Sequence, residues 1–167
     1  MKITRVRAFR QMQPFRRGNY AMGHVGSAAF DSTIVALDTD EGITGFGEMA
    51  VISAVYADSF AAGARAGIED LAPLLLGTDP TQPRAVLALL DGAMRGQPYV
   101  KSPLDMACWD LTARAAGRRH TSAACTPSAT MAPRSTAWSI PALAMGAMFG
   151  RAPVSISTKS GWLFTLP

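Results

Sequence analysis

From Lys2 to Arg10 the chain alternates, with Ile3, Val6 and Phe9 set among Lys2, Arg5, Arg7 and Arg10, and this predicts an edge-type strand. The alternation dissolves over residues 11–29, where Pro14, Gly18, Gly23 and Gly26 break up polar sequence. That stretch predicts a long loop, and long loops inside compact domains are functional or disordered. Ser32-Thr33-Ile34-Val35-Ala36-Leu37-Asp38-Thr39 then reads as a β-branched strand, Asp40-Glu41-Gly42 as a turn, and Ile43 to Glu48 as the returning strand.

The period then changes from two to between three and four. Phe60, Ala64, Ile68 and Leu71 predict a helix from Tyr56 to Leu71, interrupted by Pro73. Val86, Leu87, Leu90 and Met94 predict a second from Gln82 to Met94, with Pro83 in its first turn. A third is expected to open with Ser102 as N-cap, Pro103 at the first helical position and Asp105 near the positive end of the dipole. Its Leu104, Ala107, Cys108, Leu111 and Ala115 form one apolar stripe, and Gly117 is placed to terminate it. The expected fold class is α+β, a small antiparallel three-stranded meander followed by a helical bundle. Residues 118–167 keep neither period, and Pro127, Pro133, Pro141 and Pro153 recur through them, so an irregular tail is expected.

Charge sharpens this division. The net +4 combines eleven basic and twelve acidic residues in 1–117 with five basic and no acidic residues in 118–167. An acid-free mix of Ala, Pro, Arg, Ser, Thr and Gly is the composition of a disordered tail, or of a GC-rich gene read out of frame. The basic residues of the tail are scattered and form no stripe, which argues against a nucleic-acid partner. No apolar run reaches the roughly 18 residues that a membrane span requires. The N-terminus has no continuous apolar region of the kind a secretory signal carries, so the cytoplasm is the expected location. Two cysteines are too few for a disulfide framework, and Cys108 reads as a small buried hydrophobe.

Three separated segments resemble the enolase superfamily, in its mandelate racemase/muconate lactonizing enzyme group. They are Asp31-Ser32-Thr33-Ile34-Val35, the hairpin from Thr39 to Glu48, and Lys101-Ser102-Pro103-Leu104-Asp105-Met106-Ala107-Cys108-Trp109-Asp110. Their wording is similar to that of hydroxyproline dehydratases and proline-betaine epimerases. The resemblance implies an N-terminal capping domain over residues 1–117, whose family partner is a modified TIM barrel carrying a lysine base and three acidic Mg²⁺ ligands. It implies a Mg²⁺-assisted isomerase or lyase that abstracts the α-proton of an amino-acid-like carboxylate. A (β/α)₈ barrel takes roughly 200–250 residues, and 50 follow Gly117. The chain is therefore expected to hold no catalytic residue, metal ligand or cofactor of its own and to be inactive alone.

The resemblance further implies that two loops fold over the barrel mouth, here residues 13–28 and 49–55. It makes Tyr20, Met22, His24, Met49 and Val51 candidate lid residues against a small-molecule carboxylate. Other readings are structural. His24 is expected to be a solvated loop histidine, Glu48 a carboxylate at a strand end, and Trp109 part of the cap core or its barrel contact. Asp105 and Asp110, five apart, do not share a helix face. Gly42, Gly45 and Gly47 lie in a hairpin with no helix behind it, so turn glycines are expected there rather than a phosphate loop. Without a barrel, the apolar backs of the helices would be uncovered, which predicts self-association. The alternative function is a stand-alone binding or oligomerisation module using those faces and the basic tail.

Overall fold

The computed structural model describes residues 1–23, 25–118, 154–158 and 161–165. Its elements run β1 (Ile3–Pro14), β2 (Tyr20–Met22), β3 (Val25–Ser27), β4 (Ala29–Thr39), β5 (Thr44–Ala50), α1 (Ala61–Leu75), α2 (Pro83–Ala93), α3 (Pro98–Ala115), β6 (Val154–Thr158) and β7 (Gly161–Thr165). The expected meander is present: β1 pairs antiparallel with β4 along nearly its whole length, and β4 with β5. The first strand is longer than the alternation implied, because Gln11 to Pro14 stay in register with Ser32 to Ala29. What reads as loop sequence thus starts with paired backbone, and β2 and β3 form a separate short hairpin beyond it.

Strand periodicity sends Val6, Ala8, Val35, Leu37 and Met49 to one face, where the three helices bury them with Ile68, Leu71, Leu90, Leu104 and Leu111. Helix α3 lies closest to the sheet because β5 offers it glycines. A Cβ on Gly45 would come within 2.5 Å of the Ala107 carbonyl oxygen, and one on Gly47 would collide with the Pro103 carbonyl. Gly42 alone of these three serves the turn, at φ +74°. The hairpin glycines do have a helix behind them, packed flat on the strand rather than presenting its N-terminus.

α3 begins at Pro98, one turn earlier than Ser102 and Pro103 suggest, with Gln97 left-handed at φ 54°. Tertiary packing accounts for the extra turn. Val100 seats against Gly67 of α1, where a Cβ would lie 2.7 Å from its methyl carbon. Lys101, 1% exposed, reaches Asp91 of α2 at 2.6 Å. The helix closes as expected: Gly117 N–H donates to Arg114 O at 3.0 Å and Arg118 N–H to Ala113 O at 2.8 Å, a Schellman ending. Ala115 is exposed and Ala113 buried, which shifts the end of the apolar stripe by two residues. Cys108 is fully buried, as its place on the stripe implies.

One expectation is refined. The tail is not irregular throughout: β6 and β7 pair with each other, and β7 adds to the free edge of β1, giving the sheet order β5-β4-β1-β7-β6. Val154-Ser-Ile-Ser-Thr is a β-branched alternation, short enough to be hidden by the prolines before it. The helices bury Ile68, Leu71, Leu90, Leu104 and Leu111 in the core, while Leu87, Leu89, Met106 and Trp109 are half-buried. Among the described residues, the exposed large apolar side chains are Phe9, Met12, Phe46, Tyr20, Val55, Tyr56 and Phe60, all on the sheet or in loops. No described helix is long and apolar enough to cross a membrane.

Candidate functional site

Two loops leave the same end of the sheet. The first, residues 15–28, departs from β1 and returns into β4. It is closed at its base by Phe15 N–H donating to Ala28 O at 3.0 Å, and Phe15 stacks edge-to-face on Phe30 at 4.7 Å between ring centroids. The β2–β3 hairpin forms its tip, and Tyr20 stands there largely exposed, 6.1 Å from the Phe15 ring. The second loop, residues 51–60, joins β5 to α1 and exposes Val55, Tyr56 and Phe60. The two loops meet: the Tyr56 hydroxyl lies 3.3 Å from where a Cβ on Gly23 would stand.

The lid candidates therefore separate. Tyr20 lies on this exposed aromatic surface. Met22 belongs to β2, with its side chain outside the described set, and His24 lies outside the described residues altogether. Met49 and Val51 are 3% and 7% exposed and pack in the core. Strand parity is the reason for Met49, which points inward with Gly45 and Gly47. Sequence reasoning missed Tyr56 and Phe60 because it assigned them to the first helix. Ser53, whose carbonyl accepts the Tyr56 N–H at 3.1 Å, marks the turn that keeps Tyr56 out of it.

Beneath both loops, Asp31 at the start of β4 accepts two guanidiniums. Arg10 of β1 donates through Nε at 2.8 Å and Nη2 at 3.2 Å. Arg65 of α1 donates through Nη1 at 3.0 Å and Nη2 at 3.1 Å, and also reaches Thr33 Oγ1 at 3.3 Å. Burial alone would raise the Asp31 pKa, but the hydrogen bonds and charges of the two arginines outweigh it and hold the carboxyl below its ordinary range.

At the opposite margin, an open cleft of about 370 Å³ runs between β5 and α3, lined by Ile34, Phe46, Glu48, Met106, Asp110 and Arg114. Its carboxylates are already engaged. Asp110 accepts the Phe46 N–H at 3.0 Å and Arg114 Nε at 2.8 Å, so it caps an edge strand. Glu48 accepts Gln13 Nε2 at 2.6 Å, a structural role as its strand-end position implies. Cys108 is no nucleophile: burial, with a smaller contribution from Asp105, pushes its thiol up to about 12. Among the described residues no three of His, Cys, Asp and Glu stand together as ion ligands.

Among the described residues, a meander is backed by three helices, and two loops bearing exposed aromatic side chains lie at one end of the sheet. The chain belongs to the mandelate racemase / muconate lactonizing enzyme N-terminal domain family, whose profile matches residues 2–119. It is 41% identical over 119 residues to a cis-3-hydroxy-L-proline dehydratase of Roseibium aggregatum, covering 71% of this chain and 32% of that protein. Among solved structures it resembles a member of the enolase superfamily from Roseovarius nubinhibens complexed with magnesium. There the TM-score is 0.64 and the identity 41%, over 69% of this chain and 31% of that one. It also resembles the N-succinyl Arg/Lys racemase of Bacillus cereus, with a TM-score of 0.66 and 26% identity, over 70% of this chain and 31% of that one. The chain spans about a third of the length of these relatives.

Proposed function

We propose that residues 1–117 are the substrate-selecting cap of a Mg²⁺-assisted racemase, epimerase or dehydratase acting on an amino-acid-like carboxylate, and that this chain alone does not turn substrate over. The match of an N-terminal domain family to residues 2–119 carries this reading. Two relatives whose names specify amino-acid-derived substrates support the substrate class. In a complete enzyme of this kind, the ion stabilises negative charge developing on the carboxylate once the α-proton leaves. The cap does the physical work: Tyr20, Tyr56 and Phe60 present an aromatic surface that excludes water and discriminates by shape. Residues 118–167 are, on this reading, out of frame with a barrel-coding sequence, although their β7 pairs with β1 of the cap. Translating the locus past codon 117 in all three frames tests this, since absence of barrel sequence from every frame would remove it.

The functional test is a chimaera in which residues 1–117 replace the corresponding third of the Roseibium aggregatum dehydratase. Tyr20→Ala in that chimaera is expected to change the ratio of kcat/KM between two proline-derived substrates by roughly tenfold, about 1–3 kcal/mol being typical of one pocket contact. An active chimaera whose selectivity ignores Tyr20 would remove that residue from the lid. The unfused 167-residue chain is expected to show no Mg²⁺-dependent turnover, and chelator-sensitive activity in it would overturn the claim of inactivity.

A further inference from the structure

Asp31 belongs to a segment that the resemblance singled out and that the selecting surface does not itself use. Its position relative to the loops gives it a role. Arg10 stands just before residues 15–28, and Asp31 just after them. Arg65 lies five residues past Phe60, where the second loop ends. One carboxylate thus joins both stems of the first loop to the downstream stem of the second. At the tips, the approach of Tyr56 to Gly23 makes a second link between the same loops.

The bonding pattern is stronger than that of an ordinary surface pair. Exposed single ion pairs contribute little, because two free side chains must be ordered to make one contact. Here each guanidinium engages both carboxylate oxygens, so each arginine is fixed in orientation as well as distance. The Arg65 side chain is 18% exposed and that of Asp31 26%, so water screens this arm less than it would a surface pair. The bond to Arg10 repeats a link the β1–β4 ladder already makes through eleven paired positions. The bond to Arg65 is the informative one, because it ties α1 to the stem of a loop more than thirty residues earlier.

We propose that Asp31 is a positioning residue that, by holding Arg10 and Arg65 together, fixes residues 15–28 and 51–60 in one relative placement. The two loops then select substrate as a single surface, a consequence that rests on the lid reading above, whereas the mechanical coupling does not. Arg65 is the transmitting arm and Arg10 the anchor.

Hydrogen exchange of the full chain, read by mass spectrometry, tests the coupling. Arg65→Gln is expected to speed exchange roughly tenfold in residues 15–28 as well as in 51–60, local opening being governed by the contacts that close it. Asp31→Asn should do the same in both loops, while peptides holding Val35, Leu37 and Leu111 keep wild-type protection. Arg65→Lys, which keeps the charge but loses the fork, should fall between wild type and Arg65→Gln and serves as the milder variant if Arg65→Gln loosens the core. Acceleration confined to α1 and residues 51–60, with residues 15–28 unchanged in both Arg65 variants, would overturn the proposal. Exchange reads the coupling whether or not the loops touch substrate, and the Tyr20→Ala chimaera reads the substrate role, so the two ideas fail separately.

Discussion

Gly45 and Gly47 occupy strand positions where an inward side chain would displace helix α3, and this explains glycines that the sequence presents only as turn formers. Gly47→Ala must push its methyl group into the Pro103 backbone, which cannot rotate away, and is expected to destabilise the domain by about 3 kcal/mol. Gly42→Ala meets open space and suffers only from its left-handed backbone, an expected cost of about 1–2 kcal/mol. Urea midpoints for the two variants should fall in that order, and the reverse order would contradict the packing argument. The aspartates give a second residue-scale prediction. Burial raises the Asp38 carboxyl, but hydrogen bonds from Arg7 and Thr44 and the charges of Arg7 and Arg5 outweigh it, so its pKa lies below the usual value, as that of Asp31 does. Each carboxylate therefore adds stability that is present above the unfolded pKa, about 3.9, and is lost as pH falls through the lower folded value. The stability gap between wild type and Asp31→Asn or Asp38→Asn should be full at pH 6 and close steadily below about pH 4. A gap independent of pH would show that the charge is not what these residues contribute.

At the scale of elements, α3 shows how local signals are overridden. Ser102, Pro103 and Asp105 spell a helix start, yet Lys101 and Val100 before them are already helical because α1 and α2 provide partners for their side chains. The Lys101–Asp91 pair joins α2 to α3 inside the core, so removing one member leaves a buried charge without its partner. Lys101→Met or Asp91→Leu is each expected to cost about 3–5 kcal/mol, and the double replacement Lys101→Met with Asp91→Leu much less than the sum. Additive losses in urea unfolding would argue against a direct pair. The meander, the presence of three helices and the Schellman ending at Gly117 were legible because periodicity and glycine placement are local properties. Core placement of Met49 follows from strand parity and was within reach of the sequence. That of Val51, which lies past the end of β5, was not. The Tyr56–Gly23 contact and the shared Asp31 were hidden for a different reason: they join residues 21 to 34 apart, and only the fold brings them together.

For the whole molecule, the two margins of the β5-β4-β1 meander are closed by different means. On one side the Asp110 carboxylate accepts the Phe46 N–H of β5, and on the other β7 pairs with Arg5 to Phe9 of β1. An unpaired strand margin is a template for a second chain. Ending the chain after Arg118 should therefore raise its sedimentation coefficient with concentration and speed amide exchange at Arg5–Phe9, relative to the full chain. A truncated protein that stays monomeric with unchanged exchange would show that β7 does not guard that strand. Phe9 and Phe46, 42% and 47% exposed on the outer sheet face, remain uncovered in either form. The carboxylate shared by Arg10 and Arg65 also bears on how specificity can be transplanted. A graft that moves residues 15–28 or 51–60 by itself leaves half of the fastening behind in the recipient. The portable cassette is the continuous stretch from residue 10 to residue 65, with its cuts made outside both arginines.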